Sequence, residues 1–278
     1  MSQPYSPPPN HTRVRLTLAW DGSAFQGWQS QAQGERTLQG TLFEALLHYG
    51  PCLRPVAAGR TDAGVHALEM TAHVDVQGGF KVPPERLPRA LNLHLPGDLR
   101  VLEACQAPAN FHARHSCSAR RYVYRIGRSA QPHPLERERS LWILGPLDLE
   151  HMTQAAKLLV GRHDFAAFAT REERQTVRDL YALEWVHSDG FTPTLELHLR
   201  GESFLRHMVR AIVGTLLEVG QGKRSVQSVS WLLERGARTT AGRNVDAHGL
   251  YFAGAEYGDP PARARNSREL EEPSSHDG

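Results

Sequence analysis

The chain has 278 residues, of which 40% are hydrophobic and 22% charged, with a formal net charge of +2. That length predicts about two domains, each able to bury its own core, and no apolar run approaches the ~20 residues that a membrane-spanning helix needs. Cys52, Cys105 and Cys117 stand far apart in sequence and outside any C-x-x-C pair, which argues against a disulfide framework or a structural zinc site and fits a reducing cytoplasm.

The charge is unevenly spread. Gly258–Gly278 carries five acids and three arginines, so the body alone stands near +4. Among the cationic residues only Lys81, Lys157 and Lys223 are lysines. Arginine's planar fork suits phosphate and base contacts better than lysine's point charge does, a mild push towards nucleic acid.

In chain order, residues 1–12 are rich in Pro and Ser and are expected to form a disordered tail. They lack the basic and apolar segments of a secretory leader. From Arg13 to Trp20 the pattern alternates, with Val14, Leu16, Leu18 and Trp20 facing a core and Arg13, Arg15 and Thr17 facing away, which predicts a strand. A Gly-rich loop (Asp21–Gly34) follows. Thr37 then reads as the N-cap of a helix with Leu38, Leu42, Ala45, Leu46 and Tyr49 on one face, ended by Gly50-Pro51. Short strands are expected at Pro55–Ala58 and Met70–Val76, a helix from Pro83 to Leu93 with Pro88 awkwardly inside it, and a strand over Asp98–Cys105.

The second half repeats this order. Strands are expected at Arg121–Gly127 and Ser140–Leu144, and Asp148 caps a helix that Gly161 stops. A hairpin of Val177–His187 and Phe191–Arg200 turns at Ser188-Asp189-Gly190. A helix opens at Ser203 and ends at Gly220, a short helix spans Ser228–Glu234, and Gly249–Tyr257 forms a last strand. The pattern predicts an α+β fold of two ferredoxin-like β-α-β-β-α-β halves, residues 13–110 and 111–257. Together they would form an extended mixed, largely antiparallel sheet with a central cleft, and 258–278 would be a second disordered tail.

No Walker loop, G-x-G-x-x-G, H-E-x-x-H or G-x-S-x-G occurs. None of the fifteen histidines pairs at helical spacing beside a carboxylate, so neither metal nor cofactor is expected. What remains is Ala58-Gly59-Arg60-Thr61-Asp62-Ala63-Gly64-Val65-His66-Ala67, an inter-strand stretch in which two glycines bracket an arginine and a carboxylate. One reading is an ornate turn capped by Thr61 or Asp62. The other is a site in which Arg60 keeps Asp62 ionised as nucleophile or base. Tyr122 is either an amphipathic-sheet residue or a platform for a base. Arg210, one residue past Val209, is either an arginine covering apolar surface or a guanidinium reaching a carboxylate.

Further blocks run in order along the chain. They are Trp20-Asp21-Gly22-Ser23-Ala24-Phe25-Gln26-Gly27-Trp28-Gln29, Thr37-Leu38-Gln39-Gly40, Asn110-Phe111-His112-Ala113-Arg114, Arg120-Arg121-Tyr122-Val123-Tyr124, His163-Asp164-Phe165, Met208-Val209-Arg210 and Gly249-Leu250-Tyr251. With the Arg60–Asp62 stretch, and over almost all of Val14–Tyr257, the chain resembles the bacterial tRNA pseudouridine synthase A family. The resemblance implies a cytoplasmic isomerase that acts without a cofactor, as a homodimer, on uridines of the tRNA anticodon arm near nucleotides 38–40 of the tRNA. It implies that Asp62 is the catalytic aspartate, that Arg60 and Arg210 surround it, that Tyr122 stacks on the flipped uracil and that Leu250 seals the pocket. Arg114, Arg120, Arg121 and Arg206 are the candidates for phosphate contacts. Two competing readings are a non-catalytic RNA-binding module, which would not need Asp62, and a glycoside hydrolase, which would need a second acid, for which Glu69 is the nearby candidate.

Overall fold

A computed structural model describes residues 5–31, 34–170, 175–189 and 192–258. The strands are β1 (His11–Trp20), β2 (Val56–Ala57), β3 (His66–Gln77), β4 (Leu99–Gln106), β5 (Cys117–Gly127), β6 (Leu141–Trp142), β7 (Gly161–Asp164), β8 (Val177–Asp189), β9 (Pro193–Gly201) and β10 (Leu250–Tyr257). The helices are α1 (Leu38–Leu47), α2 (Leu87–Leu91), α3 (Leu149–Lys157), α4 (Met208–Gly220) and α5 (Gln227–Arg235). The fold is α+β, with an open, mixed, largely antiparallel sheet in the order β4-β1-β3-β10-β5-β9-β8-β7.

The chain forms two compact units that are interleaved in sequence. Among the described residues, unit 1 holds 5–144, 186–197 and 246–258, and unit 2 holds 145–185 and 198–245. The units therefore do not follow the expected halves 13–110 and 111–257, because β10 returns to unit 1 after the chain has built unit 2. The expected tail of residues 259–278 lies outside the described residues, as do residues 1–4 and Gly190 of the expected hairpin turn.

Local signals place several elements well. Thr37 caps α1 by accepting from Gly40 N–H at 3.3 Å, an interaction typically worth ~1 kcal/mol. Asp148 does the same for α3 through His151 N–H at 2.9 Å. On β1, Val14, Leu16 and Leu18 are buried, each side chain contributing roughly 1.5–3 kcal/mol. Other boundaries depart from expectation. Pro84 and Pro88 lack the N–H groups a long helix needs, so the Pro83–Leu93 segment forms only a 3₁₀ turn at Pro84–Arg86 and the five-residue α2. Gly161 does not stop α3, which ends at Lys157; it opens β7, antiparallel to β8. The expected helix start at Ser203 is also displaced. His207 adopts a left-handed backbone (φ 62°), so α4 begins only at Met208.

β3 and β5 start four residues earlier than their alternation predicts. β3 starts at His66 instead of Met70 because His66 and Ala67 pair in parallel with Tyr251 and Phe252 of β10. β5 starts at Cys117 instead of Arg121 because β10 runs antiparallel beside it, with Ala255 opposite Arg120 and Tyr257 opposite Cys117. Arg120 and Arg121 therefore lie within the strand.

The polar face of β1 and β3 is the largest surprise. Arg13, expected to face away from the core, is buried, and its guanidinium grips Asp75 through two bonds of 2.7 Å. The loop after β4 and the segment before β1 cover this face: Phe111 O accepts from Arg13 Nη1 at 2.6 Å, Tyr5 O accepts from the same nitrogen, and Ala113 N–H donates to His73 Nδ1 at 3.2 Å. A buried charge is tolerated only when both partners and their remaining donors are satisfied, and here the Phe111 and Tyr5 carbonyls supply the missing acceptors. Burial, reinforced by Arg13 and the neighbouring His112, pushes the His73 pKa down to about 3. Burial and the charge of His115 lower His112 to about 4.

Asp75→Asn leaves Arg13 buried without its counter-charge, and we expect a loss of about 3–5 kcal/mol in urea unfolding, whereas the apolar double replacement Arg13→Met with Asp75→Leu should lose much less. The histidines set a pH dependence. The unfolded chain takes up protons on them near pH 6.5, but the folded chain only near 3 to 4. Between those values the unfolded state binds more protons, so stability falls as pH falls below about 6.5. The urea midpoint should drop from pH 7.5 to pH 5, and the drop should shrink in His112→Gln.

Candidate active site

In unit 1 the Asp62 loop joins β2 to β3. It is held mainly by its backbone. Ala58 N–H donates to Thr71 O (2.8 Å), Trp28 N–H to Thr61 O (3.1 Å), Gly64 N–H to Phe25 O (3.3 Å), and Trp20 Nε1 to Val65 O (2.9 Å). The Gly-rich loop after β1 thus forms the bed on which the Asp62 loop lies. Two of its glycines are required for contact: a Cβ on Gly22 would stand 2.2 Å from Val65 O, and one on Gly27, at φ +82°, would stand 2.6 Å from Thr61 O. With the backbone carrying the fixation, the Arg60 side chain is exposed and Asp62 half-buried.

β5 and β10 carry Tyr122 and Leu250. Tyr122 is buried and meets Phe252 edge-on, with ring centroids 5.2 Å apart at 82°. A Cβ on Gly59 would lie 3.6 Å from the Phe252 ring and 3.7 Å from the Tyr122 hydroxyl, at ordinary contact distance, so both rings pack against the loop at Gly59. Burial pushes the Tyr122 pKa well above its usual value; Arg120 pulls it down and the Asp62 charge pushes it up. The phenol stays protonated at neutral pH. Leu250, 5% exposed, opens β10 opposite Tyr124, whose hydroxyl donates to Asp246 O at 2.8 Å.

Of the arginines proposed for phosphate, Arg120 has a structural task that its spacing did not signal. Its Nε donates to Ala58 O (3.1 Å) and its Nη2 to Arg114 O (2.7 Å), bracing the start of the Asp62 loop. Arg121 is exposed between Glu69 (3.7 Å) and Glu256 (3.8 Å), and Arg114 is exposed. Glu69, the second acid a hydrolase would need, is exposed in that ion pair. Arg210 and Arg206 belong to unit 2. Arg210 is half-buried, with its Nε donating to Val245 O at 2.6 Å, and Arg206 is exposed.

Phe252 and Arg120's bracing role escaped sequence reasoning because both depend on β10 lying between β3 and β5. Among the described residues, no group of three or more His, Cys, Asp or Glu side chains is arranged to hold a metal ion, and no helix is long and apolar enough to cross a membrane.

The loop thus carries one carboxylate, Asp62, with Arg60 two residues before it and a protonated Tyr122 close enough for carboxylate and phenol to interact electrostatically. The profile of the tRNA pseudouridine synthase family matches residues 18–116 and 155–258, and the chain belongs to that family; it is a pseudouridine synthase, an isomerase. Its relatives include tRNA pseudouridine synthase A of Thermus thermophilus, 47% identical over 246 residues that cover 88% of this chain and 96% of the relative. That of Halalkalibacterium halodurans is 43% identical over 243 residues, covering 86% and 90%, and that of Bacillus pumilus 41% identical over 246 residues, covering 86% and 97%.

Proposed function

We propose that this chain converts uridine to pseudouridine in the anticodon arm of tRNA, around nucleotides 38–40 of the tRNA, with Asp62 acting at the ribose and Tyr122 stacking on the flipped uracil. The observation that supports the reading is that the protonated Tyr122 phenol packs against the loop at Gly59 and feels the Asp62 charge. The tRNA itself is the substrate that the names of the curated relatives support.

The chemistry explains why one carboxylate is enough. The N1–C1′ bond breaks, the base turns, C5 bonds to C1′, and the C5 proton leaves while N1 regains one. A glycosidase needs a second carboxyl group to protonate a base or sugar that departs. Here the leaving base is also the returning nucleophile and is retained. Positive charge developing at the sugar is met by Asp62, either by attack at C1′ or by removal of a C2′ proton. Arg60 and Arg210 are assigned to keep Asp62 ionised, and Leu250 to exclude water from the base.

A uridine must leave its stack to reach such a loop, at a cost of a few kcal/mol that stacking on Tyr122 and phosphate contacts offset. The exposed Arg114, Arg121 and Arg206 are suited to those contacts, and Arg120 supports the loop from behind as well. A homodimer offering both subunits to one tRNA belongs to the same proposal, as does a cytoplasmic location.

The test is release of tritium from tRNA carrying 5-tritiated uridine, followed by mapping of the modified positions. Asp62→Asn should form no pseudouridine while binding tRNA within about tenfold of the native chain, ~1.4 kcal/mol; product formation by this variant would overturn the assignment. Free uracil in place of pseudouridine would indicate a hydrolase. Tyr122→Phe should bind tRNA normally and turn over more slowly, and an unchanged single-turnover rate would reduce Tyr122 to a stacking platform.

A further inference from the structure

His66 stands four residues after Asp62, and the chemistry proposed above gives it no role. Its ring is 2% exposed and engaged on every side. Gly22 N–H donates to Nδ1 at 3.0 Å. Nε2 lies 3.0 Å from Glu138 O and 3.1 Å from His248 O. The ring stacks on Tyr251 with centroids 4.7 Å apart at 23°. Tyr251 is itself fixed, its hydroxyl donating to Arg139 O at 2.8 Å and its outer face lying under the Arg125 guanidinium at 4.5 Å.

These partners determine the proton's position. Nε2 faces two carbonyl oxygens, which only accept, so it must carry the hydrogen; Nδ1 faces a backbone donor, so it must carry the lone pair. The Asp21 carboxylate, 3.3 Å from Nδ1, is held instead by the Ser23 N–H (3.1 Å), the Ser23 hydroxyl (2.6 Å) and the Arg139 guanidinium. Burial opposes ring protonation and lowers the His66 pKa, although the Asp21 charge pulls the other way.

One neutral ring therefore joins four segments that are distant in sequence: the bed loop at Gly22, the exit of the Asp62 loop, the segment at Glu138, and the His248–Tyr251 segment that carries Leu250. We propose that His66 is a positioning residue that holds the Asp62 loop in register with the Leu250 end of β10. The inference rests on Asp62 and Leu250 being the reacting and sealing residues. The parallel pairing of His66 with Tyr251 is only two residue pairs long, and the ring's Nε2–H to His248 O is the side-chain bond that reinforces it. Without that bond the carboxylate and the pocket wall lose their mutual distance, although the Asp62 loop still leads into β3 and Leu250 still opens β10.

The test uses the full chain and a tRNA transcript, and compares His66→Ala, His66→Asn and His66→Gln. Asn keeps an acceptor towards Gly22, whereas Gln keeps a donor that reaches the carbonyls of Glu138 and His248. We expect His66→Ala to lower the single-turnover rate about 100-fold with unchanged tRNA affinity, and His66→Gln to recover much more of that rate than His66→Asn. An unchanged rate in His66→Ala, or rate and affinity falling together with Tm in all three variants, would overturn the proposal. If His66→Ala does not fold, the rate-against-affinity split between the Gln and Asn variants decides. Nitrogen NMR of the native chain gives an independent reading: a proton on Nε2 at neutral pH is expected, and a proton on Nδ1 contradicts the bridge. Absence of pseudouridine with the native chain would instead remove the activity on which the proposal rests.

Discussion

The placement of β10 is the constraint on which the site depends. This last strand inserts between β3 and β5, parallel to the first and antiparallel to the second. Parallel neighbours need a long crossover, and here the chain from β3 to β10 passes through all of unit 2 before it returns. The return brings Phe252 against Tyr122, sets Leu250 opposite Tyr124, and stretches β3 back to His66 and β5 back to Cys117. Without that insertion, the Asp62 loop and Tyr122 would be features of separate strands.

The loop itself shows how a site can be held rigid while few side chains are spent on it. Backbone groups of Ala58, Thr61, Gly64 and Val65 make the bonds, and the glycines at 22 and 27 permit the approach of the bed loop. Arg120 adds a guanidinium to the Ala58 carbonyl from the neighbouring strand. The Arg60 side chain is exposed and that of Asp62 half-buried on this backbone-held loop.

Much of the framework was legible in the sequence. The apolar positions of β1, the Thr37 and Asp148 caps, the apolar stripe of α4 and the carboxylate between glycines all depend on neighbours two to four positions away, and so appear as spacing. Arg13 did not. Its alternation with Val14 and Leu16 correctly placed it on the opposite face of β1, but nothing local showed that the loop at Phe111 would bury that face and that Asp75 would neutralise it. The start of α4 was missed for a related reason: the apolar stripe continues through Leu205, while the turn at His207 has no sequence signature of the glycine kind.

By itself the sequence determined the class and order of most elements and the residue types available for chemistry, because hydrophobic period, capping and turn preference act over a few positions; β7 was not among them. It also carried the family membership, since many short blocks occur in one order. The tertiary structure alone decided where β3 and β5 begin, which polar residues are buried, and which groups the Asp62 loop leans on. Those outcomes depend on partners far apart in the chain; His66 and His248 are 182 positions apart. A hydrogen bond between such groups forms only after the sheet has closed, and no local pattern in either segment specifies it.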